Sequence, residues 1–328
     1  MGVRSITVRG RRAGIGLTAG LLIAGSVAPA ALAADPVGWH AAAGTSTPDE
    51  AVQVNAFLPR SLTVDVGDSI TWTVKSGEFH TVTFPSGAEP PPFIVPIGGV
   101  PQLNPDAVAP SGGPAYDGSG LTNSGLLFGG QQFTLDFTKA GTYSFLCLIH
   151  AGMAGTVHVQ DAGTHYPASQ ATWNTASRVA SNRFEASGRA LQARTLAGAR
   201  SSGTVAAGAG AAIPDVGSIA VMRFLPSRIV VHAGQSVTWV NEDPETPHTV
   251  TFGEEPGGGP LGSFFPSGID GPGHATISST SQSVNSGFTG AAFLGRTFSA
   301  TFSAPGTYHF ICALHDDLGM TGSVVVLP

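Results

Sequence analysis

The sequence predicts an all-β protein made of two tandem Greek-key β-sandwiches, joined by a partly helical, arginine-rich linker. A long sequence pattern occurs twice along the 328-residue chain, and apolar residues alternate with polar ones within each copy. Alternation with a period of two, bounded by Gly, Pro and Asp, is typical of half-buried strands. Only 11% of the residues are charged, while the chain holds 45 glycines and 24 prolines. This composition favours short strands joined by turns over a helical bundle.

Residues 1–33 are predicted to form a signal peptide. Arg4, Arg9, Arg11 and Arg12 precede an apolar stretch, and Ala31-Leu32-Ala33 provides the small residues that predict cleavage before Ala34. The apolar stretch is shorter than a membrane-spanning helix requires. The Arg11-Arg12 pair leaves twin-arginine export open beside ordinary secretion. We therefore expect a secreted or extracytoplasmic protein of the cell envelope or periplasm, with no transmembrane anchor in the mature chain.

The two copies align over several separate runs. Asn55-Ala56-Phe57-Leu58-Pro59 matches Met222-Arg223-Phe224-Leu225-Pro226, and the run that ends at Trp72 matches the run that ends at Trp239. Solenoid units are much shorter than this repeat, so the pattern indicates two copies of a domain. The predicted organisation is a first sandwich over 34–161, a helical and flexible linker over 162–213, and a second sandwich over 214–328.

Seven strands are predicted in each copy from the alternation. Leu62, Val64 and Val66 point to one face of a strand, while Thr63 and Asp65 point to the other. Seven short strands per copy are typical of a Greek-key sandwich. The predicted strands are 52–57, 61–66, 69–74, 81–84, 132–137, 142–147 and 155–160 in the first copy, and 219–224, 228–232, 236–241, 249–252, 297–302, 307–312 and 322–327 in the second.

Each copy also contains a long Gly/Pro/Ser-rich insertion, over 85–131 and 253–296. Both insertions contain the tripeptide Asn-Ser-Gly. We interpret them as segments that cover one edge of each sandwich, with a functional loop as the alternative.

The linker holds five arginines against one acidic residue, Glu185. Trp173, Phe184 and Leu191 belong to one weak apolar stripe, which predicts a helix from about 167 to 200. The segment 201–212 is predicted to be flexible. The helix is interpreted as lying across an acidic domain surface, with binding to an anionic partner as the alternative.

Each copy carries the same metal-ligating residue types in the same order. One histidine lies in the shared string His-Thr-Val-Thr-Phe, while a cysteine, a second histidine and a methionine follow the end of a later strand. A thiolate, two imidazoles and a thioether are the ligand set of a mononuclear copper site for one-electron transfer. The candidate ligands are His80, Cys147, His150 and Met153 in the first copy, and His248, Cys312, His315 and Met320 in the second.

A disulfide between Cys147 and Cys312 is the alternative use of two cysteines in an exported protein. Both residues end an apolar strand at equivalent positions of the repeat. A bridge would therefore require the two domains to present the same buried position to each other. Two separate metal sites are the favoured interpretation.

On these residues, each half resembles the blue copper proteins, or cupredoxins, of the plastocyanin and azurin superfamily. The spacing Cys312-x2-His315-x4-Met320 is similar to the plastocyanin loop, and the shorter spacing from Cys147 to Met153 is similar to amicyanin-like proteins. The resemblance covers roughly 50–160 and 217–328. It implies two cupredoxin-like sandwiches, each with a type 1 copper ion that cycles between Cu(I) and Cu(II). The cysteine and two histidines would be its strong ligands, and the methionine its weak axial ligand.

The expected function is that of an exported copper-binding electron-transfer protein with one mononuclear site per domain. Copper storage or delivery in the cell envelope needs the same ligands and is the alternative. Copper oxidases and nitrite reductases also join cupredoxin domains, and they resemble one another in placing a histidine beside the type 1 cysteine. Leu146, Leu148, Ile311 and Ala313 occupy those positions here, and no His-x-His pair occurs in the sequence. We therefore expect no enzymatic activity.

The charge balance and the residues near each cluster indicate the kind of partner. The net charge is −6, and loss of the four leader arginines would take it to about −10, which disfavours a nucleic-acid partner. Redox partner proteins are expected instead. A cationic one at the second domain would be attracted by an acidic rim of Glu242, Asp243, Glu245, Asp316 and Asp317. The first site would offer an apolar docking patch of Ala151, Gly152 and Ala154.

Overall fold

The predicted fold class is confirmed, because the chain forms two β-sandwiches with one long helix between them. The computed structural model describes residues 35–257, 262, 264–290 and 295–328. The predicted signal peptide and its cleavage point lie outside the described residues.

The strands of both copies follow the alternation closely. The first copy contains β1 (Gly38–Ser46), β2 (Val52–Leu58), β3 (Ser61–Asp65), β4 (Ser69–Lys75), β5 (Thr83–Phe84), β6 (Ile94–Ile97), β7 (Val100–Leu103), the short helix α1 (Pro105–Val108), β8 (Ala115–Tyr116), β9 (Thr122–Asn123), β10 (Gln132–Phe137), β11 (Gly141–Leu146) and β12 (Ala154–Gln160). Helix α2 (Gln170–Ser202) follows. The second copy contains β13 (Val205–Ile213), β14 (Gly217–Leu225), β15 (Arg228–His232), β16 (Ser236–Glu242), β17 (Thr251–Phe252), β18 (His274–Ile277), β19 (Val284–Asn285), β20 (Thr297–Phe302), β21 (Gly306–Ile311) and β22 (Thr321–Leu327).

Each sandwich encloses an aromatic core between its two sheets. In the first copy, the sheet β2-β1-β4-β10-β8 faces the sheet β3-β12-β11-β5-β9. The buried ring of Trp72 lies 5.2 Å from that of Phe145 between their centroids. The second copy repeats this contact, with Trp239 5.2 Å from Phe310. Burying such large rings provides much of the driving force that holds the sheets together.

The two sandwiches share one continuous sheet. Strand β2 pairs antiparallel with β14, so that five strands from each copy form a single ten-stranded sheet. Asn55 lies opposite Ser218, and its side-chain amide donates to Ser218 Oγ at 3.3 Å. The seam therefore fixes the relative position of the two copies through main-chain hydrogen bonds.

Helix α2 packs across this seam. Ser169 caps its N-terminus by accepting a hydrogen bond from the Thr172 N–H, and Gly203 ends it in the left-handed conformation. Gly188 is buried at the closest approach, where a Cβ atom would lie 2.2 Å from Val52 and 2.9 Å from Ile219. The predicted helix thus lies on the joined sheet, with its middle over strands from both copies.

Outside the two insertions, two long strands were missing from the sequence prediction. Strand β1 lies in an unassigned stretch, and β13 lies where the segment 201–212 was predicted to be flexible, so that prediction was wrong. Both strands are rich in Ala and Gly. Consecutive residues are buried over 41–44 in β1 and over 205–209 in β13, so both faces of each strand are covered there. The strands lack alternation because buried Ala and Gly residues occupy both faces of the stretches 41–44 and 205–209. The domain boundaries stay a prediction, although β13 pairs with β14 inside the ten-stranded sheet.

The insertions place short strands at the sandwich edges, in agreement with their interpretation as edge covers. Strand β8 pairs with β10 and β9 with β5 in the first copy, while β18 pairs with β20 and β19 with β17 in the second. The Asn123 side chain accepts from Thr83 Oγ1 and donates to Ala107 O, while Asn285 accepts from Thr251 Oγ1. The shared Asn-Ser-Gly therefore ties each insertion to the strand after the upstream histidine.

Candidate metal centres

In the first copy, His80, Cys147 and His150 converge on one point. Cys147 follows the end of β11, and His80 lies just before β5 in the neighbouring strand. The Cys147 Sγ atom is 4.0 Å from His80 Nδ1 and 3.6 Å from His150 Nδ1. All three side chains are buried, and their donor atoms lie within 4.8 Å of one another.

The second copy repeats the arrangement with His248, Cys312 and His315. The Cys312 Sγ atom lies 3.8 Å from His248 Nδ1 and 3.4 Å from His315 Nδ1. The two Nδ1 atoms are 3.1 Å apart. Because each cysteine is surrounded by its own two histidines and is free, the alternative of a disulfide is not realised.

These distances fit a single first-row metal ion in each cluster. Bonds of about 2.0 Å to nitrogen and about 2.3 Å to sulfur, as zinc makes, would separate the donors by about 3.5–3.7 Å at angles of about 110–120°. The observed sulfur–nitrogen distances of 3.4–4.0 Å bracket this range. A thiolate with two imidazoles is a donor set that suits copper.

The environment favours the thiolate form of both cysteines in the metal-free chain. Burial alone would raise the pKa of Cys147, but hydrogen bonds from His150 and His80 outweigh it and hold the pKa well below its usual range. Burial likewise opposes the shift at Cys312, where the charge of His315 and the hydrogen bond from His248 lower the pKa. The thiolate is the form that binds metal.

The shared string His-Thr-Val-Thr-Phe holds the cysteine from the side of the neighbouring strand. The main-chain N–H of Thr81 donates to Cys147 Sγ at 3.4 Å, and Thr81 Oγ1 accepts from the Leu148 N–H at 2.8 Å. Thr249 makes the same two contacts in the second copy, to Cys312 Sγ at 3.4 Å and from the Ala313 N–H at 2.8 Å. The string therefore supplies one histidine of each cluster. Its first threonine also forms a clamp, two hydrogen bonds that hold the cysteine and the residue after it.

Both methionines are buried beside their cysteine. The Cys147 N–H donates to Met153 O at 2.9 Å, and the Cys312 N–H donates to Met320 O at 3.0 Å. The loop that follows each cysteine is thereby closed, although the second loop is two residues longer. The assignment of Met153 and Met320 as axial ligands remains a prediction.

A glycine in each copy makes room for the upstream histidine. Gly44 and Gly208 lie at register shifts in β1 and β13, with φ angles of +72° and +75°. A Cβ atom would lie 2.2 Å from His80 Nε2 at Gly44, and 2.1 Å from His248 Nε2 at Gly208. Sequence analysis missed both residues, although the repeated Ala-Ala-Gly at Gly44 and Gly208 was a usable signal.

One carboxylate lies between the two clusters. Glu78 is only 4% exposed, and its Oε2 is 3.9 Å from His150 Nε2 while its Oε1 is 3.4 Å from His315 Nε2. Burial alone would raise the pKa of Glu78, but the charges of His315 and His150 outweigh it and lower the pKa in the metal-free chain. No sequence signal pointed to Glu78, because Thr246 stands at the same distance before His248.

The face around each downstream histidine is occupied by the other copy. His150 and His315 are 6% and 2% exposed. A Cβ atom at Gly77 would meet the Leu318 side chain at 2.4 Å, and one at Gly152 would lie 4.0 Å from Gly217. The surface next to both histidines therefore belongs in part to the contact between the two copies.

The residues of the predicted acidic rim lie in different surroundings. Asp243 is buried, and its Oδ1 accepts from the main-chain N–H groups of Glu245 and Thr246, both at 2.9 Å. Asp317 is an exposed residue. Its carboxyl group is nevertheless partly shielded from water, and this shielding, followed by the nearby charge of Asp316, raises its pKa. Of the five residues predicted to form the acidic rim, Asp316 and Asp317 directly follow His315 in the chain and provide the negative charge next to it.

The fold and the clusters define a tandem cupredoxin, with two His–Cys–His sites that match two type 1 copper sites. The chain belongs to the family of copper binding proteins of the plastocyanin/azurin type, which it matches over 49–160 and 213–327. This family binds copper, and the resemblance inferred from the ligand spacing is confirmed.

Individual relatives match about one copy of the repeat. Plastocyanin A'/A'' from Nicotiana tabacum is 35% identical over 105 residues, which is 32% of this chain and 88% of that protein. The chloroplastic plastocyanin of Hordeum vulgare is 33% identical over 138 residues, 41% of this chain and 76% of that one. Among solved structures, a purple cupredoxin from Nitrosopumilus maritimus is 18% identical, with a TM-score of 0.23 over 37% of this chain and 99% of that chain.

Proposed function

We propose that this protein is an exported electron carrier with two mononuclear type 1 copper sites, one in each sandwich. The observation that carries the proposal is the duplicated cluster of one buried thiolate and two Nδ1 atoms, built on the same strands in both copies. Copper would be held by Cys147, His80 and His150 in the first copy, and by Cys312, His248 and His315 in the second. Met153 and Met320 would be the weak axial ligands.

The protein would contribute rigidity and burial to this function. When bound, copper supplies a one-electron couple between Cu(I) and Cu(II). The clamp at Thr81 and Thr249 holds each sulfur, and the glycines at 44 and 208 let the upstream imidazoles pack closely against the main chain. A site whose ligands stay in place in both oxidation states needs little rearrangement when an electron arrives.

We infer a carrier rather than an enzyme or a storage protein. Among the described residues, the groups of three or more His, Cys, Asp or Glu donors that could hold a metal are the two clusters themselves. Both are buried, with their cysteines 5% and 0% exposed, so a substrate in solution does not reach the donor atoms of either cluster. Similarity to plastocyanins favours electron transfer over copper storage or delivery.

Export to the cell envelope or beyond rests on the leader predicted at residues 1–33, which lies outside the described residues. Within the described part of the chain, no helix is both long and apolar enough to cross a membrane. Redox partner proteins are proposed for both domains, with a cationic one at the second, where Asp316 and Asp317 lie beside His315.

The test is the visible spectrum and copper content of the mature protein. We expect an intense thiolate-to-copper absorption band and about two coppers per chain. Cys147→Ser and Cys312→Ser should each remove one copper and about half of the colour. His309→Ala is the matched control, because His309 is an exposed histidine on β21, the same strand that leads to Cys312. A colourless protein that takes up no copper would refute the proposal.

A further inference from the structure

The side chain of Glu78 connects the two candidate metal centres. Its two oxygen atoms face the Nε2 atoms of His150 and His315, at 3.9 and 3.4 Å. The Nδ1 atoms of the same two rings face the sulfur atoms of Cys147 and Cys312, at 3.6 and 3.4 Å. One carboxyl group therefore closes a continuous line of contacts from one cysteine to the other.

This line is buried along its whole length. Glu78 is 4% exposed, His150 6% and His315 2%, and both cysteines are buried. With carboxylate bonds of about 1.2 Å, the two Nε2 atoms are no more than about 10 Å apart. Two imidazoles in contact with one buried group provide a short path that solvent does not interrupt.

Glu78 is held in place by residues of the same copy. Ser76 Oγ donates to Glu78 O at 3.1 Å and lies 2.8 Å from His80 Nε2. The next residue, Gly77, donates its N–H to Gln53 Oε1 at 3.0 Å. Through Ser76, the segment that carries Glu78 is also linked to the upstream histidine of the first cluster.

We propose that the two copper centres exchange electrons directly across Glu78. This inference rests on the proposed function, since it requires both sites to hold copper. With copper held by both clusters, one electron would pass from the reduced ion of one copy to the oxidised ion of the other, so that one centre is oxidised as the other is reduced. No bond forms or breaks, no proton is transferred and no further oxidant is needed. Electron tunnelling falls steeply with distance, so the short path from one imidazole to the other through Glu78 is the favoured route.

Glu78 provides a carboxylate partner inside the protein for both downstream histidines, His150 and His315. A histidine whose Nδ1 binds metal carries its proton on Nε2, and a carboxylate facing Nε2 orients the ring. Here the same carboxylate lies within ion-pair distance of a ring from each centre. Glu78 is thus a positioning residue for both sites as well as the bridge between them.

The experiment measures electron exchange in the full-length, copper-loaded protein after a laser-flash reductant delivers less than one electron per chain. A Met320→Gln background separates the two sites in potential, because the axial ligand tunes it. We expect a redistribution of absorbance between the sites whose rate does not depend on protein concentration. In a Cys147→Ser protein, which keeps one site, this phase should be absent.

Variants at Glu78 then test the bridge. Glu78→Ala should slow the redistribution by at least about tenfold, as expected for loss of a group that orients metal ligands. Glu78→Gln keeps the size of the side chain but offers an acceptor oxygen to one ring only, so it should restore part of the rate. Glu89→Gln is the control, because Glu89 is an exposed glutamate in the insertion of the first copy. It should leave the rate unchanged.

The outcomes separate this inference from the proposed function. Loss of the absorption band or of copper in the unmodified protein would overturn the proposed function. Two intact copper sites with no concentration-independent phase would overturn the exchange alone. An unchanged rate in Glu78→Ala, with both coppers retained, would overturn the role of Glu78. Persistence of the phase in Cys147→Ser would show that it does not report exchange between the sites.

Discussion

Gln53 and Ala220 lie opposite each other at the centre of the seam between β2 and β14. In the sequence alignment that matches Asn55 with Met222, these two residues are also each other's counterparts. An antiparallel pair that joins equivalent positions has a local two-fold axis, as in a symmetric dimer. The two copies are therefore related as the subunits of such a dimer, and each brings its downstream histidine toward the other.

Gly188 is predicted to be essential for the packing of α2 on this seam. Gly188→Ala places a methyl group 2.2 Å from Val52 and should destabilise the protein by about 1–3 kcal/mol, the usual cost of overpacking. Thermal unfolding measures the effect. Gly198→Ala is the control, because a Cβ there meets nothing within 4 Å, and it should be neutral or stabilising. Equal melting temperatures for both variants would contradict the prediction.

Gly44 and Gly208 are predicted to control one copper site each. Gly44→Ala should displace the His80 ring and remove about half of the absorption band, while Gly208→Ala should do the same through His248. Both also incur the cost of a left-handed alanine, about 1–3 kcal/mol.

The controls for these two variants are Gly67→Ala and Gly234→Ala. Both positions have positive φ angles, of +100° and +88°, but a Cβ atom meets nothing within 4 Å. An alanine at either position has the same unfavourable positive φ angle but does not clash with a histidine. The colour and copper content of these variants should therefore match those of the unmodified protein. If all four variants lost colour equally, the steric explanation would fail.

The hydroxyl group of Thr81 is predicted to retain copper at the first site. Thr81→Val removes the acceptor of the Leu148 N–H and leaves that partly buried donor unsatisfied, at a cost of about 1–3 kcal/mol. Copper should then be lost faster to a chelator, as followed by the decay of the absorption band. Thr71→Val is the control, since the hydroxyl group of Thr71 bonds the exposed hydroxyl of Thr134 at the surface. Identical decay rates in the two variants would refute a clamp at the sulfur.

Asp316 and Asp317 are predicted to attract a cationic partner. Replacing both by Asn should slow electron exchange with a cationic cytochrome at low ionic strength, because two charges beside the second site are removed. The difference should vanish at high salt, where exposed charges are screened. Stopped-flow rates at several salt concentrations provide the test. Rates that are unchanged at every ionic strength would rule out this steering.

The sequence was sufficient for most of the fold and for both clusters, because each rests on a pattern that repeats. Alternation located the strands around Trp72 and Trp239, and the duplicated order of ligand types located the residues that meet at each site. Strands β1 and β13 were missed because buried Ala and Gly residues carry no alternation. A binary pattern reports which side of a strand faces water, and the stretches 41–44 and 205–209 have no such side.

The role of Glu78 could not be predicted for a different reason. Its position between two imidazoles depends on the register of β2 with β14, and that register follows from packing between copies. A single carboxylate two residues before a histidine has no pattern of its own. The same holds for Gly188, whose small size matters only because Val52 and Ile219 lie beneath it.

The ten-stranded sheet also bears on how such a chain could arise. Separated from its neighbour, either half would expose β2 or β14 as an unpaired edge, which tends to recruit another strand. Two identical halves could satisfy each other through the same seam. Fusion into one polypeptide keeps the two halves associated at any dilution. It also lets their sequences diverge, so that the first half can supply the shared Glu78 while the second has Thr246 at the equivalent position.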